Sequence, residues 1–182
     1  MSNIILVTGL SGSGKTTFAD RVGSREGHCT INLGKLMRNA ATREGFETLT
    51  HYMEHYETAF GFSRLRSYIL NKISQQSPHE VIVDGIYDYG LYLEISEKFG
   101  RDNIFTVSLE LEEEKRLMRF LLRSTREHGD IDNALISLRR RDTYKREVGI
   151  AKVIENADIN LTSDLPVEQL VQVYDNFVRD YY

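Results

Sequence analysis

Residues 9–16 read Gly-Leu-Ser-Gly-Ser-Gly-Lys-Thr, the spacing G-x-x-x-x-G-K-[ST]. The chemistry open to such a run is the holding of phosphate. Gly9, Gly12 and Gly14 let the backbone curl tightly, and Ser11, Ser13 and Thr17 complete a concave run of backbone N–H donors. Lys15 is placed to reach β- and γ-phosphates, and the Thr16 hydroxyl to bind Mg²⁺. A loop of this kind needs a strand before it and a helix after it. Ile4-Ile5-Leu6-Val7 is a short β-branched apolar run, and Thr17 to Val22 continues from Lys15 as a helix.

Further residues fit the same chemistry. Val81-Ile82-Val83-Asp84-Gly85 is an apolar strand ending in an acid, which places Asp84 at the Mg²⁺ beside Thr16. Gly34-Lys35-Leu36-Met37-Arg38 opens a helix, and Arg38 offers a planar fork for an acceptor phosphate, with Arg64 and Arg66 available to join it. Arg116, Arg119, Arg123 and Arg126 recur three to four residues apart and share a helix face; Arg139-Arg140-Arg141 follows the break at Gly129-Asp130. A hairpin with such a face can close over a migrating phosphoryl group as a lid.

These residues require a scaffold, and the chain supplies one. It has 182 residues, 41% of them hydrophobic and 27% charged, enough for one domain with a proper core. Strand-like runs at 4–8, 29–33, 81–83, 104–109 and 159–161 alternate with amphipathic stretches at 14–26, 35–44, 48–59, 63–76, 88–98, 111–127, 131–156 and 166–180. That alternation predicts a five-stranded parallel sheet covered on both faces, with ligands beyond the carboxyl ends of its strands. The net charge of −4 gives no sign of nucleic acid, and no run is apolar enough to span a bilayer. A lone cysteine, Cys29, suits a reducing cytosol and a cytoplasmic protein. The protein is expected to act as a monomer or homodimer.

Two competing motifs fall short. His51-Tyr52-Met53-Glu54-His55 fits the zinc pattern H-x-x-E-H, but no third ligand stands out downstream. Asn71-Lys72-Ile73-Ser74 lacks the acid expected for guanine recognition.

The phosphate loop, Gly34-x-x-x-Arg38, Asp84-Gly85 and the arginine-rich hairpin, in that order, resemble adenylate kinase and its nucleoside monophosphate kinase relatives. Arg141-Asp142 followed by Gly149-Ile150-Ala151-Lys152-Val153-Ile154-Glu155-Asn156-Ala157-Asp158 is similar to the adenylate-kinase-related and dephospho-CoA-kinase-like proteins. The resemblance spans essentially the whole chain. It implies a P-loop NTPase three-layer sandwich with a short helical lid at about 112–145 inside a single domain, 1–182. It further implies ATP and Mg²⁺ as cofactors and a small, nucleotide-like acceptor. By it, Arg38 holds the acceptor phosphate, Asp84 lies near Mg²⁺, and Arg119, Arg123, Arg126 and Arg141 serve the lid. It also implies that Asp158 approaches the donor base. Lys35 stands where that family has Asp, and Tyr87 where it has Arg, so one acceptor-site arginine is missing. The departures leave open a different phosphorylated acceptor, or slow ATP hydrolysis alone.

Overall fold

The computed structural model describes residues 3–47, 52, 59–76, 80–124 and 131–181, with the backbone alone at 59–62, 123, 124 and 181. Its frame is a five-stranded sheet in the order β2-β3-β1-β4-β5. The strands are β1 (Asn3–Thr8), β2 (His28–Asn32), β3 (Glu80–Ile86), β4 (Ile104–Glu110) and β5 (Ile159–Thr162), and every pairing is parallel. β1 lies in the middle because Ile4 to Thr8 is buried throughout, as a strand covered on both faces must be. The five expected strands are all present, in α/β alternation.

Side chains alternate across the pleat, so one strand feeds two cores. Ile4, Leu6, Ile31 and Val83 pack beneath α2 (Leu33–Arg43), α3 (Ala59–Ser74) and α4 (Tyr89–Phe99), meeting Met37, Ile69 and Ile95. Ile5, Val7 and Ile82 face the other way, onto Phe18 and Val22 of α1 (Lys15–Gly23) and Leu170 and Tyr174 of α8 (Val167–Tyr181). Helices on both faces of the sheet make three layers.

Two further helices, α5 (Glu113–Ser124) and α6 (Ile131–Glu147), pack on each other through Phe120, Ala134 and Leu138. This is the pair expected to form the lid. The predicted helix at 131–156 is in fact two, because α7 (Ile150–Glu155) starts afresh. Gly149 makes the break at φ 96°, and a β-carbon there would sit 2.9 Å from the Tyr89 β-carbon. The Tyr89 N–H also donates to the Val148 carbonyl at 3.1 Å. Periodicity continued across the break, but close packing of α4 ended the helix. The helix expected at 48–59 lies almost wholly outside the described residues, as do His51 and His55.

Candidate active site

The phosphate loop leaves β1 at Thr8 and enters α1 at Lys15, whose N-cap is Gly14 at φ 90°. No side chain caps this helix start, which keeps its N–H groups turned toward the loop's concave side. A β-carbon at Gly12 would lie 2.7 Å from the Arg116 carbonyl oxygen, so only glycine lets the loop rest on α5. Lys15 folds back over the loop and its Nζ donates to the Leu10 carbonyl at 2.6 Å.

Asp84 lies across from Thr16. The alternation that sends Ile82 toward α1 sends Asp84 the same way. The β1–β3 register then slips by one residue at Gly85, φ 94°, and resumes with Ile86 opposite Thr8. Thr16 Oγ1 donates to Asp84 Oδ2 at 2.7 Å, and the Asn32 side-chain amide donates to the same oxygen. Asp84 is 2% exposed, and its Oδ1 is buried with no hydrogen-bond partner. Burial raises its pKa above the usual carboxylate value, against the pull of the Thr16 hydrogen bond and the Lys15 charge. A buried acceptor oxygen beside a threonine hydroxyl is the donor set that a hard, partly hydrated cation takes, so Thr16 and Asp84 fit Mg²⁺. No cluster of three His, Cys, Asp or Glu stands ready to hold a metal among the described residues. The remaining ligands of Mg²⁺ would come from water and phosphate.

Asn32 was not foreseen. It ends β2, and its Oδ1 accepts from the Lys35 N–H at 2.7 Å, so it caps α2 while holding Asp84. An asparagine before an amphipathic run is a cap signal that the sequence does carry. Arg38, one turn into α2, is exposed, and its guanidinium lies back over Gly34. That places it beside the Asn32 cap.

The arginines divide by surroundings. Arg116, read from its spacing as one of the arginines on a lid face, is 3% exposed. It pairs with Asp142, and its Nη1 also donates to the Ser11 carbonyl at 2.9 Å. Asp142, likewise unforeseen, accepts from the Ser11 N–H at 2.9 Å. The pair therefore clamps the phosphate loop from α5 and α6. Arg119 lies beside Gly14 and donates to the Ser163 carbonyl at 2.6 Å, in the loop after β5. Arg141 stacks over the Phe120 ring at 5.1 Å. Arg126 lies outside the described residues, and for Arg123 only the helical backbone is described.

Arg66 and Arg64 do not meet at Arg38. Arg66 is held by Asp88 through two bonds of 2.8 Å and by Glu94 at 3.2 Å, and these carboxylates raise its pKa. Its fork is committed to fixing α3 on α4. Arg64 instead faces Arg43, Tyr52 and Tyr68 in a separate cleft of about 210 Å³ between α2 and α3. Asp158, expected near a donor base, precedes β5 at its entry end. Its carboxylate accepts from the Thr106 N–H at 2.7 Å and from Arg101 at 2.8 Å.

Lys145 is the third unforeseen residue. Its Nζ donates to Ser11 Oγ at 3.0 Å and lies 5.7 Å from the Tyr87 ring centroid. Burial, and then the charge of Lys15, push its pKa well below the ordinary lysine value. Tyr87 borders a small cavity of about 20 Å³, lined also by Met37, Leu65, Leu91 and Tyr144.

The chain is 25% identical to a UPF0200 protein of Saccharolobus islandicus over 168 residues, covering 91% of this chain and 87% of that one. It is 27% identical to a UPF0200 protein of Pyrobaculum aerophilum, covering 94% of each. Shikimate kinase from Acinetobacter baumannii, solved in complex with shikimate, superposes at a TM-score of 0.64 with 16% identity, over 99% of this chain and 94% of that one. The shikimate kinase of Bacteroides thetaiotaomicron gives 0.62 with 18% identity, over 97% and 98%. These likenesses establish the fold of P-loop kinases. With the sequence model of the AAA domain family matching residues 8–136, from the end of β1 through the phosphate loop into the first turns of α6, the chain belongs to that family.

Proposed function

We propose that the protein is an ATP- and Mg²⁺-dependent phosphotransferase that moves the γ-phosphoryl group to a small, nucleotide-like acceptor. The observation that carries this reading is the Thr16–Asp84 bond of 2.7 Å, with Asp84 Oδ1 left open beside the phosphate loop. Mg²⁺ held there would draw charge from the phosphate oxygens. The loop N–H groups and Lys15 orient the triphosphate, and the Arg116–Asp142 clamp keeps Ser11 in place for it. Arg38 takes the acceptor's own anionic group, and Tyr87 with Met37 lies along its body. Arg119 stands at the start of the hairpin, with Arg123, Arg126 and Arg141 further along, to cover the transferring group. The shikimate-bound Acinetobacter enzyme supports this fold as a frame for a small acceptor. We expect the chain to act as one domain in the cytoplasm, without nucleic acid.

A second reading, a nucleotide-driven ATPase or regulator with no small acceptor, is favoured by one observation. The cavity under Tyr87 has room for about one water. Coupled ADP release, measured with ATP and Mg²⁺ across nucleoside monophosphates, deoxynucleotides and dephospho-CoA, separates the two. Stimulation by one acceptor supports transfer. Unchanged slow hydrolysis with all of them supports the ATPase, and absence of ATP binding overturns both.

A further inference from the structure

Asp142 and Lys145 stand three residues apart on α6 and seize the same loop residue. Asp142 holds the Ser11 backbone N–H at 2.9 Å, and Lys145 Nζ holds its hydroxyl oxygen at 3.0 Å. From the other side, Lys15 Nζ rests on the carbonyl of the preceding residue, Leu10, at 2.6 Å. Two ammonium groups from separate helices therefore share one short stretch of loop. Arg116 and Arg141 add like charge around Lys145. The opposing carboxylate among the described residues, Asp142, is already engaged by Arg116 and the Ser11 N–H. In this enclosed place like charges repel strongly, and burial favours the neutral amine. Cations crowded on one stretch of loop are complemented by an anion lying between the two lysines. Lys145 also sits 5.7 Å from the Tyr87 ring, on the side where the loop faces the residues beyond β3. In the phosphotransferase reading the acceptor lies beside Tyr87 and faces the terminal phosphate, so the phosphate on the Lys145 side of the loop is the terminal one.

We infer that Lys145 is a second phosphate-binding lysine, which contacts the terminal phosphate of a bound nucleoside triphosphate opposite Lys15. The inference rests on the phosphotransferase reading above. It makes Lys145 a sensor of triphosphate against diphosphate, because ADP leaves the place between the lysines empty. A purely structural Lys145, one that only latches Ser11, would serve both nucleotides alike.

Titration calorimetry with MgATP and MgADP on the wild type, Lys145→Met and Lys145→Arg distinguishes these roles. Loss of a charge-assisted contact predicts that Lys145→Met weakens ATP binding by about 10-fold or more, while ADP binding stays within about 2-fold. Lys145→Arg is expected to regain most of the ATP affinity. ADP binding by the variant reports that its loop is intact, and Lys145→Gln repeats the test should the methionine variant not fold. Equal losses for ATP and ADP, or no loss for either, overturn the role of Lys145 and leave the phosphotransferase reading standing. A wild type that binds neither nucleotide overturns both.

Discussion

Asp84 pits stability against function in one side chain. Its carboxylate is buried, its Oδ1 has no partner, and burial raises its pKa. Asparagine keeps the shape and removes the charge that burial penalises. Asp84→Asn is therefore expected to leave the melting temperature unchanged or higher, while Mg²⁺-dependent turnover falls by about 100-fold or more. Thermal unfolding and a coupled ADP assay on the same preparation check both halves, and a variant that is unstable yet active would contradict the argument. Lys15→Ala belongs beside it: activity lost, fold retained, because Lys15 packs on the loop's own carbonyl and not in a core. Arg38→Ala should weaken the acceptor and spare ATP, costing about 1.5–3 kcal/mol for a charge-assisted bond. Lys15, Thr16 and Asp84 were legible because local motifs announce them. Asn32, Asp142 and Lys145 were not, since their roles arise from contacts 52, 131 and 134 residues away along the chain. No periodicity encodes such distances.

At the scale of elements, the hairpin of α5 and α6 does two jobs with one repeat of arginines. Spacing placed Arg116, Arg119, Arg123 and Arg126 on one face, but spacing cannot say how deep that face lies. Arg116 is buried because α5 begins directly above the phosphate loop, where Glu112 and Leu111 bring it down onto Ser11. Helix existence was legible from apolar periodicity, and all five strands from short apolar runs. The end of α6 was not, because Gly149 breaks it for the sake of Tyr89, a contact between distant segments. The clamp predicts a large mutational cost. Asp142→Ala leaves the Arg116 guanidinium buried without its carboxylate, which costs about 3–5 kcal/mol for a broken buried pair. Urea denaturation should show that loss. A change under about 1 kcal/mol would place the pair in the class of solvated surface bridges.

Over the whole molecule the formal charge is −4, yet the site concentrates cations around the loop. Lys15, Lys145 and Arg116 converge on Leu10 and Ser11, with Asp142 as the facing acid. Global composition hid this, because charge on a surface average says nothing of charge at a sheet edge. The consequence belongs to the pH dependence of folding. In the native state Lys145 gives up its proton well below the ordinary lysine value of 10.5. Between that lowered value and 10.5 the unfolded chain binds the proton that the native chain lacks, so rising pH favours the native state. Tyr87, whose pKa burial raises, works in the opposite direction only as pH passes 10.0. Stability from urea titrations should therefore climb with pH between that lowered value and 10 in the wild type, and the climb should be shallower in Lys145→Met. On the proposed role of Lys145, MgATP would place an anion beside its amine, favour the ammonium form and flatten the climb in the wild type. A slope identical in wild type, variant and nucleotide complex would mean that Lys145 keeps its proton in the empty site, and that the crowding of cations at the loop is relieved by solvent.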